Sequence, residues 1–407
     1  MSWQLRKIGD LCKVGRGSSP RPKNDQRFFE GGTIPWIKVA DATSSGKYLW
    51  RTKEHVNAFG ASFSRLLPVG SLIICTSGTL GLPVFLGVEG CIHDGWLYTY
   101  EYDGLVPQFF YYFLLTRRDY FASVAYGAAI QNINTDILRE TPIRLPSLEE
   151  QIKIAAILKS YDDLIENNRR RMALLEDAAG LLYSEWFVRL RFPGYEHVEN
   201  LNGVPNGWRR VPTPEAVDIN PPTPLSEEGE HWHVEMAELP TNSMVIQHAI
   251  RRDGRSGSKF RNGDTLFARI TPCLENGKTA FVDFMEDGEV ARGSTEFIVL
   301  RSKLLTPEFV YCLSRTYDFR ENAIKSMVGS SGRQRVQESC FEKFQVWIPP
   351  ELLLTMFTDT VRPMFKQIRL LHGQNQKLQA ARDLLLPRLM SGEMTVSQAI
   401  EGKAASA

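Results

Sequence analysis

The stretch LEEQIKIAAILKSYDDLIENNRRRMALLEDAAGLLYSEW, residues 148–186, decides the fold. It holds no proline and a single glycine, Gly180. Within it Leu158, Tyr161, Ile165, Asn168, Met172, Leu175, Ala179, Leu182 and Trp186 recur at alternating steps of three and four. Such spacing keeps one stripe of a helix facing a partner helix, which is the seam of a coiled coil. At 1.5 Å per residue the helix would be about 58 Å long. A rod of that length reads as a spacer.

A shift of 203 residues finds the seam again: Val361, Met364, Ile368, Leu371, Asn375, Leu378, Arg382, Leu385 and Leu389. This copy has its own asparagine, Asn375, and one breach, Arg382. A seam Asn costs stability and fixes register. Pro363 and Pro387 predict a kink or a cap, because proline lacks an amide donor and crowds the preceding turn. A lone helix would leave its stripe in water. The two are therefore expected to pack on each other, antiparallel about a pseudo-two-fold axis. The alternative is two amphipathic helices, each packed on its own domain.

The rest of the chain is also written twice. Trp3–Ile8 is echoed by Gly207–Val211, and Val39-Ala40-Asp41 by Met236-Ala237-Glu238. Leu67–Ile73 is echoed by Phe260–Leu266, Pro107–Tyr111 by Pro307–Tyr311, and Arg144-Leu145-Pro146 by Trp347-Ile348-Pro349. The echoes keep their order while their offset drifts, so the framework is shared and loops differ in length. Each globular copy reads as mixed α/β, with short strands such as 71–75 and 296–300 between Gly and Pro punctuation. A helix is expected after Pro107 and after Pro307.

The chain has 407 residues, 43% of them apolar, enough for two or three domains with real cores and too much for a disordered chain. No run of 18 apolar residues and no secretory h-region is visible, so the expectation is a cytoplasmic chain without a membrane span. The six cysteines lie far apart and form no C-x-x-C, which argues against zinc and disulfide frameworks.

Covalent chemistry is hard to find. Asn220-Pro221-Pro222-Thr223 resembles the N-P-P-aromatic motif of amino-methyltransferases, but the aromatic is missing and no Gly-rich nucleotide loop precedes it. Gly15-Arg16-Gly17 lacks the third glycine of a dinucleotide loop. His231, His233 and Glu235 share a face on a strand, yet without a distant ligand they make a weak metal signal. They read as surface or groove residues. No catalytic, cofactor or metal site is expected in this chain.

The charge is more telling. Lys plus Arg is 48 and Asp plus Glu 47, a formal net of +1. The sum hides its distribution. Residues 6–27 carry a net +5 and residues 251–278 a net +4. Both runs are rich in Gly, Ser, Asn and Pro and read as loops that follow a phosphate backbone. Two segments matched by the 203 offset, Gln131-Asn132-Ile133-Asn134 and Arg333-Gln334-Arg335-Val336, add base-edge chemistry. Residues 147–190 are mildly acidic, which suits a protein partner.

At this point the sequence resembles the specificity subunit of Type I restriction–modification enzymes. Gly17-Ser18-Ser19-Pro20, Gly31–Ile37 and Ala40-Asp41 look like the opening of that family's target-recognition domain. Ser77-Gly78-Thr79-Leu80-Gly81 resembles its G-[ST]-x-G strand end, and Ile143–Ala155 its entry to the central helix. The second half departs from the pattern, at Pro349-Pro350-Glu351-Leu352 and at Ile270–Cys273.

The resemblance implies an α+β protein: two mixed α/β target-recognition domains joined by two long antiparallel coiled-coil helices. The expected division is 1–146, helix 147–190, linker and second domain 191–346, helix 347–394, and a flexible tail 395–407. It implies that the chain reads a bipartite double-stranded DNA site and binds two methyltransferase subunits and restriction/translocase subunits. S-adenosylmethionine, ATP and Mg would sit on those partners. The DNA-contacting set expected in the first copy is Arg16, Ser18, Ser19, Arg21, Lys23, Lys38, Ser77, Thr79, Gln131, Asn132 and Asn134. In the second copy it is Arg251, Arg252, Arg255, Lys259, Arg269, Arg333, Gln334 and Arg335. The competing readings are a stand-alone adenine methyltransferase and a coiled-coil adaptor that binds no DNA.

Overall fold

The computed structural model describes residues 3–43, 45–125, 132–201, 203–226, 229–330 and 332–404. The chain divides into two compact units: Met1–Glu166 with Gln376–Ala407, and Asn167–Asn375. Each unit holds a globular part and a segment of both long helices.

In the first unit a five-stranded sheet runs in the order Lys13–Arg16, Trp96–Tyr100, Leu72–Cys75, Pro83–Leu86, Tyr48–Leu49. Its central strand Leu72–Cys75 is buried throughout. Successive side chains point to opposite faces. Leu72 and Ile74 join the core around Phe109 and Phe110, while Ile73 and Cys75 join a second core with Trp96. A four-stranded sheet follows the order Glu54–Val56, Ile34–Ile37, Gly90–Ile92, Arg65–Leu67. A two-stranded pair, Gln4–Lys7 with Pro142–Leu145, leads directly into the long helix.

The second unit repeats this plan. One four-stranded sheet has the order Val217–Ile219, Phe297–Ser302, Thr265–Ala268, Thr279–Phe281. The other has Ile250–Arg252, His231–Val234, Val290–Gly293, Ser258–Arg261. Arg209–Pro212 pairs with Gln345–Ile348 ahead of the second long helix. In each unit one pair of corresponding strands runs parallel, Trp36 opposite Cys91 and His233 opposite Arg292, and the first unit adds a second parallel pair, Tyr48 opposite Phe85. The helices Pro107–Thr116 and Pro307–Arg315 both begin on proline, where the missing amide would have had no partner anyway. The echoes in the sequence thus fall on equivalent elements.

The long helices span Leu148–Tyr183, continued by a π-helical turn Ser184–Val188, and Glu351–Ser391. In the second unit Asn168 Nδ2 donates to Asn375 Oδ1 at 3.0 Å, with both side chains buried. Further along, Phe187 meets Phe357 with ring centroids 5.0 Å apart. Forward on one helix is backward on the other, so the segments run antiparallel. Leu158, Tyr161, Ile165, Ile368 and Leu371 are buried, while Met172, Leu175, Leu182, Met364, Leu378 and Leu385 are half-buried. The seam shifts at its end: Tyr183 and Phe187 are buried, and Leu182 and Trp186 pack at their side. The wider π-helical turn falls where the burial passes to Phe187.

Two expectations need correcting. Of the kink or cap expected at Pro363 and Pro387, the cap is absent, because the second helix runs through both. Both prolines are exposed, and the buried Val361, Phe365 and Ile368 flank one while Leu389 and Met390 flank the other. Several buried side chains at about 2 kcal/mol each outweigh a proline's cost of about 3 kcal/mol. The supposed flexible tail contains a helix, Val396–Ala404, with Ala399 buried in the first unit's core. Thr395 and Gln398 cap it reciprocally: the Gln398 amide donates to Thr395 Oγ1, and the Thr395 amide donates to Gln398 Oε1.

The breach at Arg382 has a physical reason. Its guanidinium donates to Asp162 Oδ1 at 2.8 Å, and Tyr112 Oη donates to Asp162 Oδ2 at 2.6 Å. Lys47 Nζ donates to Tyr112 Oη at 2.8 Å and lies 3.9 Å from the carboxylate. The side chains of Lys47 and Asp162 are 5% and 10% exposed, so the pair is shielded from water. Burial pushes the Lys47 ammonium down to about 8 against the pull of Asp162. Among the described residues no helix is long and apolar enough to cross a membrane.

Asp162→Asn leaves the buried Lys47 without its counter-charge and Arg382 with only the exposed Asp383. The expected cost is about 3–5 kcal/mol, read by urea unfolding; a loss below ~1 kcal/mol would contradict this account. In the second unit His372 is buried and its Nε2 has no partner among the described residues. Burial, with Arg369 and His248 adding to it, pushes this imidazole down to about 4. The unfolded chain then binds the extra proton first, so stability is lost as pH falls from about 6.5 toward 4. His372→Leu should gain about 1–2 kcal/mol on the wild type at pH 5 compared with pH 7, measured by denaturant unfolding at both pH values.

Candidate nucleic-acid interface

The strands Lys13–Arg16 and Leu72–Cys75 both run antiparallel to Trp96–Tyr100, so their ends meet at one edge of the sheet. Backbone bonds stitch that edge together. The Thr76 amide donates to Gly95 O at 3.0 Å, and the Ile133 amide donates to Thr76 O at 3.0 Å. The Gly17 amide donates to Trp96 O at 2.9 Å, and the Ser18 amide to Ile92 O at 3.2 Å. Gly17 has no room for a Cβ, which would stand 2.1 Å from His93 O. Arg16, Ser18, Ser19, Ser77, Thr79 and Asn132 are thereby gathered at one end of the first unit.

The centre of this cluster is Asp94, which sequence reasoning missed. Ser19 Oγ donates to its carboxylate at 2.8 Å, Arg21 Nη2 at 2.9 Å and Lys23 Nζ at 3.1 Å. Arg16 Nε donates to the Asp94 carbonyl at 3.0 Å. Burial alone would raise this carboxyl, but the Ser19 hydroxyl and the Lys23 ammonium outweigh it and hold it at about 2. Lys38 lies 4.7 Å over the Trp36 ring and pairs with Glu54. Asn132 Oδ1 is buried and has no partner among the described residues. Asn134 Oδ1 caps the helix Thr135–Glu140 by accepting from the Ile137 amide at 2.8 Å. Gln131 lies outside the described residues.

The second unit builds the same edge. The Val336 amide donates to Arg269 O at 2.8 Å, as the Ile133 amide does to Thr76 O. Ile133 and Val336, 203 residues apart, are both fully buried. The Arg269 amide donates to Glu296 O at 3.0 Å, and the Thr271 amide to Gln334 O at 3.0 Å. The Arg335 guanidinium grips the Glu296 carboxylate through Nε at 3.0 Å and Nη2 at 2.6 Å. Arg333 is exposed. Arg269, Arg333, Gln334 and Arg335 therefore come together, although no G-[ST]-x-G motif marks the spot.

Arg251, Arg252 and Lys259 stand on the other sheet, within Ile250–Arg252 and Ser258–Arg261, rather than in loops. In the first run Lys13 and Arg16 likewise lie in a strand. Arg251 stacks 4.6 Å over Trp232 and pairs with Glu289 at 2.5 Å. Arg255 Nη2 reaches Leu225 O at 3.5 Å. His231 and His233 are both largely buried, and His231 lines a cavity with Trp232, Arg251 and Glu289. His233 faces Arg252 Nη2 at 2.5 Å and Arg292 Nη1 at 3.1 Å, cationic surroundings that repel a metal ion. The Asn220 amide is also committed: Oδ1 accepts from the Val299 amide at 2.9 Å and Nδ2 donates to Glu338 at 2.9 Å. It is a strand tie and leaves no free amide for a base amino group.

The duplicated fold gathers Arg, Lys, Ser, Asn and Gln at equivalent sheet ends of the two units. Residues 1–177 match the model of the Type I restriction modification DNA specificity domain. The Type I restriction enzyme MjaIX specificity subunit of Methanocaldococcus jannaschii is 27% identical over 421 residues, covering 97% of this chain and 94% of that one. The MjaVIII specificity subunit of the same organism is 23% identical over 416 residues, covering 97% and 93%. The crystal structure of a Type I S subunit from M. genitalium shares the fold, at 15% identity and a TM-score of 0.57 over 96% of both chains. Over nearly its whole length the chain is thus similar to specificity subunits of Type I restriction enzymes, and its first 177 residues match the DNA specificity domain.

Because the Asn134 side chain is spent on a cap, Asn134→Ala should lower stability by about 1 kcal/mol in thermal unfolding and leave sequence preference unchanged. A changed preference in a stably folded variant would return Asn134 to the reading surface.

Proposed function

We propose that each unit's globular part reads one half of a bipartite duplex site, while the two long helices set the gap and dock two methyltransferase subunits. The carrying observation is the recurrence of one polar edge: Asp94 with Arg16, Arg21 and Lys23 in the first unit, and Glu296 with Arg335 in the second. Two such edges on one chain suit two half-sites. Arg and Lys would contact phosphates, and Asn132, Gln334 and the arginines would meet base edges in the major groove. The exposed, mixed-charge faces of the helices suit protein partners, with restriction/translocase subunits joining the same assembly. S-adenosylmethionine, ATP and Mg belong to those partners on this reading. The complex would work beside DNA in the cytoplasm.

Mapping methylated adenines in cells carrying this subunit tests the proposal. The expected pattern is two short fixed sequences separated by an unspecified gap. A heptad inserted after Ala173, matched by one after Leu370 on the facing helix, keeps the seam in phase. It adds about 10.5 Å, or roughly three base pairs. The gap should lengthen by about that much with both half-sites unchanged. An unchanged gap would refute the ruler, and a continuous, ungapped motif would refute the division into half-sites.

A further inference from the structure

We propose that Asp94 and Glu296 are built-in counter-ions that position the recognition cations and withhold their charge from DNA of arbitrary sequence. The inference rests on the DNA-reading function above and extends it.

The two carboxylates occupy corresponding places. Asp94 lies just before the strand Trp96–Tyr100, and Glu296 just before Phe297–Ser302. Each of these strands sits between two others in its sheet, with the expected DNA-contacting residues at its entry. Asp94 holds Ser19, Arg21 and Lys23, and Glu296 holds Arg335 in a two-pronged grip. These cations and their anion are far apart in sequence, so the pairing is a product of the fold. His93 adds to the geometry, accepting from the Val39 amide at 3.1 Å beside the carboxylate.

The carboxylates are reachable, with 32% and 22% of their side-chain surfaces exposed. Exposed ion pairs of this kind are weak, because water and salt screen them. A phosphate can therefore compete for Arg21, Lys23 or Arg335, but it must approach a fixed negative charge to do so. That repulsion acts on every duplex alike, whatever its sequence. Hydrogen bonds to the right bases offset it on the target alone. The same carboxylates hold flexible side chains in place, which lowers the ordering cost when the target binds.

The test uses the full-length chain and a duplex of random sequence, read as Kd against salt concentration. Asp94→Asn keeps the shape and an acceptor for Ser19 and removes the charge; Glu296→Gln does the same in the second unit. Each variant is expected to bind the random duplex roughly three- to tenfold tighter, with the log–log salt slope steeper by about 0.9 for each phosphate newly engaged. Tighter binding with a steeper slope is not produced by a merely structural role. Melting curves identify a variant that fails to fold, and the two units supply independent tests. Unchanged random-duplex affinity and slope in folded variants overturn the proposal. So does a loss confined to the target duplex, which would make the carboxylate a base contact. Should the wild-type chain bind no duplex at any salt concentration, the DNA-reading function falls and this inference with it. Wild-type binding with unmoved variants sinks the counter-ion alone.

Discussion

Each globular part is held to the first long helix by a shielded carboxylate. In the first unit Asp162 accepts from Tyr112 Oη and from Arg382. In the second unit Glu176 accepts from Tyr311 Oη at 2.5 Å and from the Met244 amide at 2.8 Å. A shielded carboxylate is costly unless its oxygens are satisfied, and each is satisfied by a tyrosine from the helix that begins at Pro107 or Pro307. The contact is therefore directional in a way that leucine packing alone is not. It fixes how each domain's sheets are presented relative to its own segment of helix, and every residue at the recognition edge inherits that placement.

Much of this was legible in the sequence because it is local or periodic. The three-four spacing from Leu158 to Trp186 states a helix and its buried face without reference to anything distant. Pro107 and Pro307 mark helix starts through their own geometry. The 203-residue offset even aligned Ile133 with Val336, and both amides close the same bond at the end of an equivalent strand. Where local rules failed, a tertiary term had outweighed them. Pro363 and Pro387 sit on the exposed side of a helix whose other side is anchored by buried residues. The helix after Thr395 carried a readable signal, the Thr-x-x-Gln capping box, overshadowed by the small residues that follow it.

The recognition edge was only half legible for a related reason. The cations could be counted, but their partners could not. Lys23 and Asp94 are 71 residues apart, and Arg335 and Glu296 are 39 apart. No periodicity encodes such a pairing, since it arises only when a loop and a strand entry meet at the sheet edge. Asn134 shows a local role that the polar run concealed: it stands one residue before a helix, where capping claims its oxygen.

The same pairing explains why a formal charge of +1 is compatible with DNA recognition. A surface of free lysines and arginines would bind any duplex, since phosphate contacts carry no sequence information. Here cations of the net +5 and +4 runs are answered by acids from elsewhere in the chain: Asp94, Glu101 and Glu140 in one unit, and Glu289, Glu235 and Glu338 in the other. Near-neutrality is then met by pairing within each unit. On the counter-ion role proposed for Asp94 and Glu296, what would distinguish one duplex from another is whether its bases offer enough hydrogen bonds to displace those acids. That is a matter of loop geometry, which is why the recognised bases are not written in the composition of the loops.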